Sequence, residues 1–261
     1  MRGSATDPTP TPGHRHLRRS VGTLASAALL LPLLGAAPAP SATDSSAGRL
    51  QHAFADAAAR YHVPRSVLLA VSYLQSRWDS HAGAPSVTGG YGPMHLTDAR
   101  TALATTEHLA EGTEDARGDS ARPALHRHIK VPGNSALPAR LRTLPRAAEL
   151  TGLPAAELRT DPAANIAGGA ALLAAAQKEL GEPASADPAD WYGAVALFSG
   201  ADDTATARAY ANDVYDVLRT GERRTTDDGQ RVSLAARPHL LADTAQLRRA
   251  GLRTVAADDV E

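Results

Sequence analysis

The sequence predicts a mainly α-helical domain with little or no β-sheet, and three observations carry that expectation. Apolar residues recur at helical spacing from Leu50 to Leu218, broken by one charged, Pro- and Gly-containing stretch at residues 111–136. Helix punctuation recurs with them: Asp161-Pro162 and Asp187-Pro188 stand before apolar runs, and Gly181, Gly200 and Gly221 follow them. No alternating β-branched run longer than a few residues occurs. Cysteine is absent, which excludes both a disulfide framework and a thiol nucleophile and leaves stability to apolar packing.

Residues 1–42 stand outside this pattern. Arg15, His16, Arg18 and Arg19 form a basic segment, and no charged residue follows until Asp44. Val21 to Leu34 is a nearly continuous apolar run of 14 residues, followed by the small residues Gly35-Ala36-Ala37-Pro38-Ala39. That order predicts a cleaved signal peptide with a flexible lead-in, cut between Ala37 and Ala42, and hence a secreted chain. Arg18-Arg19 leaves a twin-arginine route open beside the general one. The run is short of the ~20 residues a spanning helix needs, and Pro32 interrupts it, so no stable membrane insertion is expected after cleavage. About 220 residues then remain, enough for one well-buried domain. A formal charge of −1 argues against a nucleic-acid partner.

The elements follow in order from Ser41 to Gly48, a small, polar lead-in. Leu50, Phe54, Ala57 and Tyr61 predict a first helix ending near Val63-Pro64. Pro64 opens a second, on which Val67, Val71, Leu74 and Trp78 form one core-facing stripe. The glycine-rich stretch Gly83 to Gly92 breaks it, and Thr97 or Asp98 caps a helix to about Ala110. Residues 111–136 are expected to be a loop insertion. Helical character returns near Leu137, and Asp161-Pro162 starts a helix with Ile166, Leu172, Leu173 and Leu180. Another starts at Asp187-Pro188 with Trp191, Val195 and Phe198, and a last one carries Tyr210, Val214 and Leu218 to Gly221. The helical domain thus spans 49–221, and 222–261 is expected to be a polar tail or linker.

Five short segments stand out within 49–221. They are Gln75-Ser76 at a helix end, Gly92-Pro93-Met94-His95-Leu96 after the glycine turn, and Asn165-Ile166 with Gly168-Gly169-Ala170. Leu197-Phe198-Ser199-Gly200 and Ala207-Arg208-Ala209-Tyr210 complete the set. In order and rough spacing they resemble the lysozyme-like domain of the soluble lytic transglycosylases, relatives of goose-type lysozyme. That family has Glu-Ser at the end of a buried helix, then Gly-Leu-Met-Gln-Leu, Asn-Ile with Gly-Ala, Tyr-Asn-Ala-Gly, and Thr-Arg-x-Tyr. The resemblance implies a single lysozyme-like domain, peptidoglycan glycan strands as partner, a place in the cell wall, a monomer and no cofactor. It is also similar to segments preceding the zinc domain in secreted N-acetylmuramoyl-L-alanine amidases of high-GC Gram-positive bacteria. Part of such an amidase and a free-standing binding module both fit, since the sequence holds no amidase metal motif.

The family's catalytic glutamate is matched by Gln75. By the resemblance, a protonated carboxylic acid there gives its proton to the glycosidic oxygen, then takes one from the sugar's own 6-hydroxyl. An amide has no titratable proton, and losing a general acid-base costs ~10²–10⁴ in rate. Gln75 is therefore expected to be non-catalytic but shaped to hydrogen-bond a sugar. Asp79 lies one turn on, ~40° around the helix and about 6 Å along it, and is either a substitute acid or a solvated or capping residue. Asp98 reads more simply as a helix cap.

The resemblance implies substrate contacts for Ser76, Tyr91, Met94, His95, Ser199 and Tyr210. His95 replaces a glycan-binding glutamine and reads as a sugar donor or as a partly buried structural histidine. Ser199 replaces a cleft asparagine with a shorter side chain. Tyr91 fits a stacking platform or an exposed loop tyrosine, Met94 a core residue or a ligand contact. Tyr210 matches the tyrosine beside the acid, and its spacing also fits core packing. His126 and His128 lack companion ligands, so no metal is expected. The expectation is a peptidoglycan-binding domain with a degenerate catalytic site. An active lytic transglycosylase or muramidase with a substitute acid, and an exported helical protein that binds another protein, stay open.

Overall fold

The computed structural model describes residues 48–102, 104 and 137–254. The expected signal peptide, the 111–136 insertion with His126 and His128, and most of the helix expected after Asp98 lie outside the described residues. Helix makes up 59% and strand 8% of what is described, so the mainly α class holds. None of these helices is long and apolar enough to cross a membrane.

The helices are α1 (Arg49–Tyr61), α2 (Arg65–Ser76), α3 (Thr143–Thr151), α4 (Ala155–Thr160), α5 (Pro162–Glu179), α6 (Tyr192–Phe198) and α7 (Thr204–Thr220). Two antiparallel pairs accompany them, β1 (Gly90–Tyr91) with β2 (Leu96–Thr97) and β3 (Glu222–Thr225) with β4 (Arg231–Leu234). Short 3-10 turns lie at Ala139–Leu141, Pro188–Trp191 and Thr244–Arg249.

α5 is the central element, packed by α1, α3, α4 and α6. It is buried nearly all round, through Ala164, Ile166, Ala170, Ala171 and Leu173 among others, as a helix surrounded by neighbours must be. Gly168 and Gly169 make the approach close: a Cβ on Gly169 would stand 2.5 Å from Met94. The Asp-Pro start works as expected, with Asp161 Oδ1 accepting from Ala163 N at 2.9 Å and Pro162 in the first turn. Asp203 caps α7 through Thr206 N at 2.8 Å.

Two expectations change. α2 stops at Ser76, because Arg77 and Trp78 both take left-handed backbone (φ 59° and 67°). Trp78 is buried all the same, folding back so that Nε1 donates to the Leu69 carbonyl at 2.8 Å. The stretch from 222 is not a free tail over its described part. Its hairpin buries Val232 and Leu234, and the turn at 244–249 buries Gln246 and Leu247. Gln51 pairs with Ser233 like a strand neighbour, donating to its carbonyl and accepting from its N–H at 3.0 Å. Gln230 Oε1 accepts from Leu50 N at the start of α1. Gln246 Oε1 accepts from Gly193 N in the first turn of α6 at 3.0 Å, while its Nε2 donates to the Asp190 carbonyl. Few apolar side chains and many polar anchors explain why this region reads as a tail.

Candidate functional site

Gln75 sits on the last turn of α2, half-buried, and its Nε2 donates to Tyr210 Oη of α7 at 3.0 Å. α2 and α7 pack against each other, which sets that distance. Burial pushes the Tyr210 phenol well above its ordinary range, with the Gln75 hydrogen bond opposing it. Gln75 Oε1 has no partner among the described residues and remains an acceptor.

The next residue ties the helix end to the glycine turn. Ser76 Oγ donates to the Pro93 carbonyl at 2.6 Å, and Ser72 Oγ reaches the same oxygen at 2.8 Å. From the other side, Asn165 Oδ1 accepts from Met94 N at 2.8 Å, and its Nδ2 donates to the carbonyls of Tyr91 and Leu158, each at 2.9 Å. Asn165 is fully buried with every polar atom used. Gly92 has φ +63°, and a Cβ there would lie 2.6 Å from the Asn165 side chain. Three of the five segments singled out in the sequence therefore meet around one turn, and a fourth joins them through the Tyr210 contact to Gln75.

Other candidates are placed differently. Met94 is fully buried, the core reading of that residue. Tyr91 is 3% exposed, so it is neither a stacking platform nor an exposed loop tyrosine. Its ring lies under Arg159, whose carbon centre is 5.9 Å from the centroid, and the carbonyl held by Asn165 fixes its backbone. Burial raises its phenol, with Asp98 adding to the effect. His95 turns to the glycine loop, its Nε2 at 2.8 Å from Ser86 Oγ and 3.1 Å from Thr88 Oγ1. Burial lowers its pKa, and the neighbouring His81 lowers it further. Ser199 Oγ donates to the Ala196 carbonyl at 2.6 Å and accepts from Ala201 N, closing the end of its own helix.

Asp79 is neither solvated nor a cap. Its Oδ2 pairs with Arg224 Nη1 at 3.1 Å and its Oδ1 accepts from Asp227 N at 3.0 Å. Asp227 reciprocates by accepting from Ser80 N and His81 N. Asp98 caps its helix through Thr101 N and also pairs with Arg159 at 2.8 Å. Among the described residues no group of three or more His, Cys, Asp or Glu is arranged to hold a metal ion. The sequence reading missed Asn165 as the hub of the turn, although its Asn-Ile segment had been singled out. It also missed the Asp79–Arg224–Asp227 clamp, whose halves lie far apart in sequence.

The residues brought together can donate and accept hydrogen bonds at the end of α2 but hold no acid there. In comparisons with protein-family models, curated proteins and solved structures, nothing matches the chain.

Proposed function

We propose that the chain is a secreted, lysozyme-like domain that binds the glycan strands of peptidoglycan and does not cleave them. The observation that carries this is the Gln75–Tyr210 hydrogen bond at the end of α2, beside the Ser76 anchor. Glycan cleavage requires a group there that gives and then regains a proton. An amide has none to exchange, and a phenol raised by burial keeps its own. The amide still offers Oε1 to a sugar hydroxyl. The reading with Asp79 as acid draws no support, since both its oxygens already accept hydrogen bonds from the hairpin. Through the same resemblance, the chain acts as a monomer in the cell wall and corresponds to the N-terminal part of an N-acetylmuramoyl-L-alanine amidase.

The purified chain is expected to sediment with cell-wall sacculi and to release no soluble muropeptides. Release of anhydromuropeptides by the unaltered chain, abolished by Asp79→Asn, would sink the proposal in favour of an active enzyme. Gln75→Glu restores the missing proton and is expected to gain slow lytic activity. The gain should fall toward the low end of the ~10²–10⁴ that a general acid-base supplies, because His95 and Ser199 are turned to other partners. A chain that binds neither glycan strands nor sacculi would point to a protein partner instead.

A further inference from the structure

A cavity of about 520 Å³ lies between the turn at Ala139–Leu141, the start of α3, one face of α5 and the end of α6. None of Gln75, His95, Ser199 or Tyr210 lines it. Two chemistries meet in its wall. Leu172, Leu197 and Phe198 form an apolar surface, and Arg140, Arg142 and Arg146 stand beside it with Glu149 and Glu179.

The three arginines differ in what already occupies them. Arg140 pairs with Asp202 at 2.8 Å, but that carboxylate is 65% exposed. Arg146 pairs with Glu149 at 2.9 Å, and Glu149 is 66% exposed. Exposed pairs of this kind are weak and exchange readily for another anion. Arg142 gives Nε to the Leu137 carbonyl at 3.1 Å, and among the described residues its terminal nitrogens have no carboxylate partner. A guanidinium in that state, next to an apolar wall, suits two-pronged recognition of a carboxylate. The first turn of α3 adds to this, since Thr143 lines the cavity and a helix N-terminus favours negative charge.

We propose that this cavity binds a short peptide bearing a free carboxylate on an aliphatic body. The carboxylate sits against Arg142, the aliphatic part lies on Leu172 and Phe198, and Glu149 and Glu179 accept from the peptide's amine or amide groups. Charges of both signs distinguish a peptide from a fatty acid, whose tail offers Glu149 and Glu179 no donor. The volume falls within the ~300–1,000 Å³ of pockets that enclose a small ligand, which fits a few residues and not a protein surface. The inference rests on the cavity and stands apart from the glycan reading; if both hold, the peptide is the stem attached to the glycan strand.

Titration calorimetry of the full chain with alanyl-glutamyl-lysine, with its counterpart lacking carboxylates (Gln for Glu, C-terminal amide), with laurate and with peptide-free glycan strands tests this. The free-acid peptide is expected to bind, and its carboxylate-free counterpart at least tenfold more weakly. Arg142→Gln should cost about tenfold in affinity for the free acid, about 1.4 kcal/mol. Ala176→Phe, which fills the cavity from α5, should abolish binding with the unfolding midpoint retained. No binding of the peptide, equal binding of the two peptides, an unaffected Arg142→Gln, or laurate binding as tightly as the peptide overturns the proposal. Glycan binding without peptide binding overturns it while leaving the function above standing; peptide binding without glycan binding does the reverse.

Discussion

Asn165 uses both its amide hydrogens and its oxygen on three backbone groups, two of them in the glycine turn. Fully buried, it converts two distant sequence segments into one rigid corner, because each backbone group left unpaired there would cost about 1–3 kcal/mol. His95 shows a different consequence of burial. Its folded pKa is held below the ordinary value of 6.5 by desolvation and by His81. The unfolded chain therefore takes up that proton first as pH falls. The contribution of His95 is complete above about pH 6.5 and is lost as pH falls from there through its folded value. Urea midpoints at pH 7 and pH 5 should thus fall less for His95→Gln than for the unaltered chain. Equal losses in both would remove His95 as the cause.

From the end of α2 to Gly83 the chain carries four left-handed non-glycine residues, Arg77, Trp78, His81 and Ala82. Such backbone is unfavourable by about 1 kcal/mol or more per residue and persists only where neighbours over-determine it. The β3–β4 hairpin is what over-determines it. Asp79 holds Arg224 and Asp227 N, and Asp227 holds Ser80 N and His81 N. Asp79→Asn keeps the shape but points amide hydrogens at a guanidinium. The pair is only partly sheltered, at 15% and 33% side-chain exposure. The expected loss is accordingly about 1–2 kcal/mol rather than the 3–5 of a fully buried pair. Faster hydrogen exchange at 222–234 in Asp79→Asn should accompany a lower denaturation midpoint. Unchanged exchange there would show that the hairpin is held by its apolar contacts alone.

The described part of residues 222–254 closes the core that the helices leave open. Val232, Leu234 and Leu247 are each at most 5% exposed. At about 1.5–3 kcal/mol per buried aliphatic side chain, their loss approaches the whole 5–15 kcal/mol by which a domain is stable. A chain ending at Gly221 is therefore expected to lose cooperative thermal unfolding and to bind a hydrophobic dye. A sharp transition at the original temperature would mean that the helical part folds unaided.

Helix positions were legible in the sequence because they depend on local chemistry. Asp-Pro starts, glycine stops and a 3.6-residue apolar period act within one or two turns. α5 begins at its Asp-Pro, and α6 and α7 end at their glycines, while Asp187-Pro188 opens a 3-10 turn and α6 follows only at Tyr192. Gln75 in place of an acid was equally legible, since an amide lacks the proton whatever surrounds it. Three things only the tertiary structure decided. Tyr91 is buried because Asn165, from a distant helix, holds its carbonyl. Asp79 is a clamp because Arg224 and Asp227 return to it from the far end of the chain. Residues 222–254 belong to the core because a few apolar side chains and scattered glutamine contacts anchor them, and such anchors have no period to read. Local signals specify where helices lie; which surfaces they must share depends on contacts whose partners are far apart in the chain.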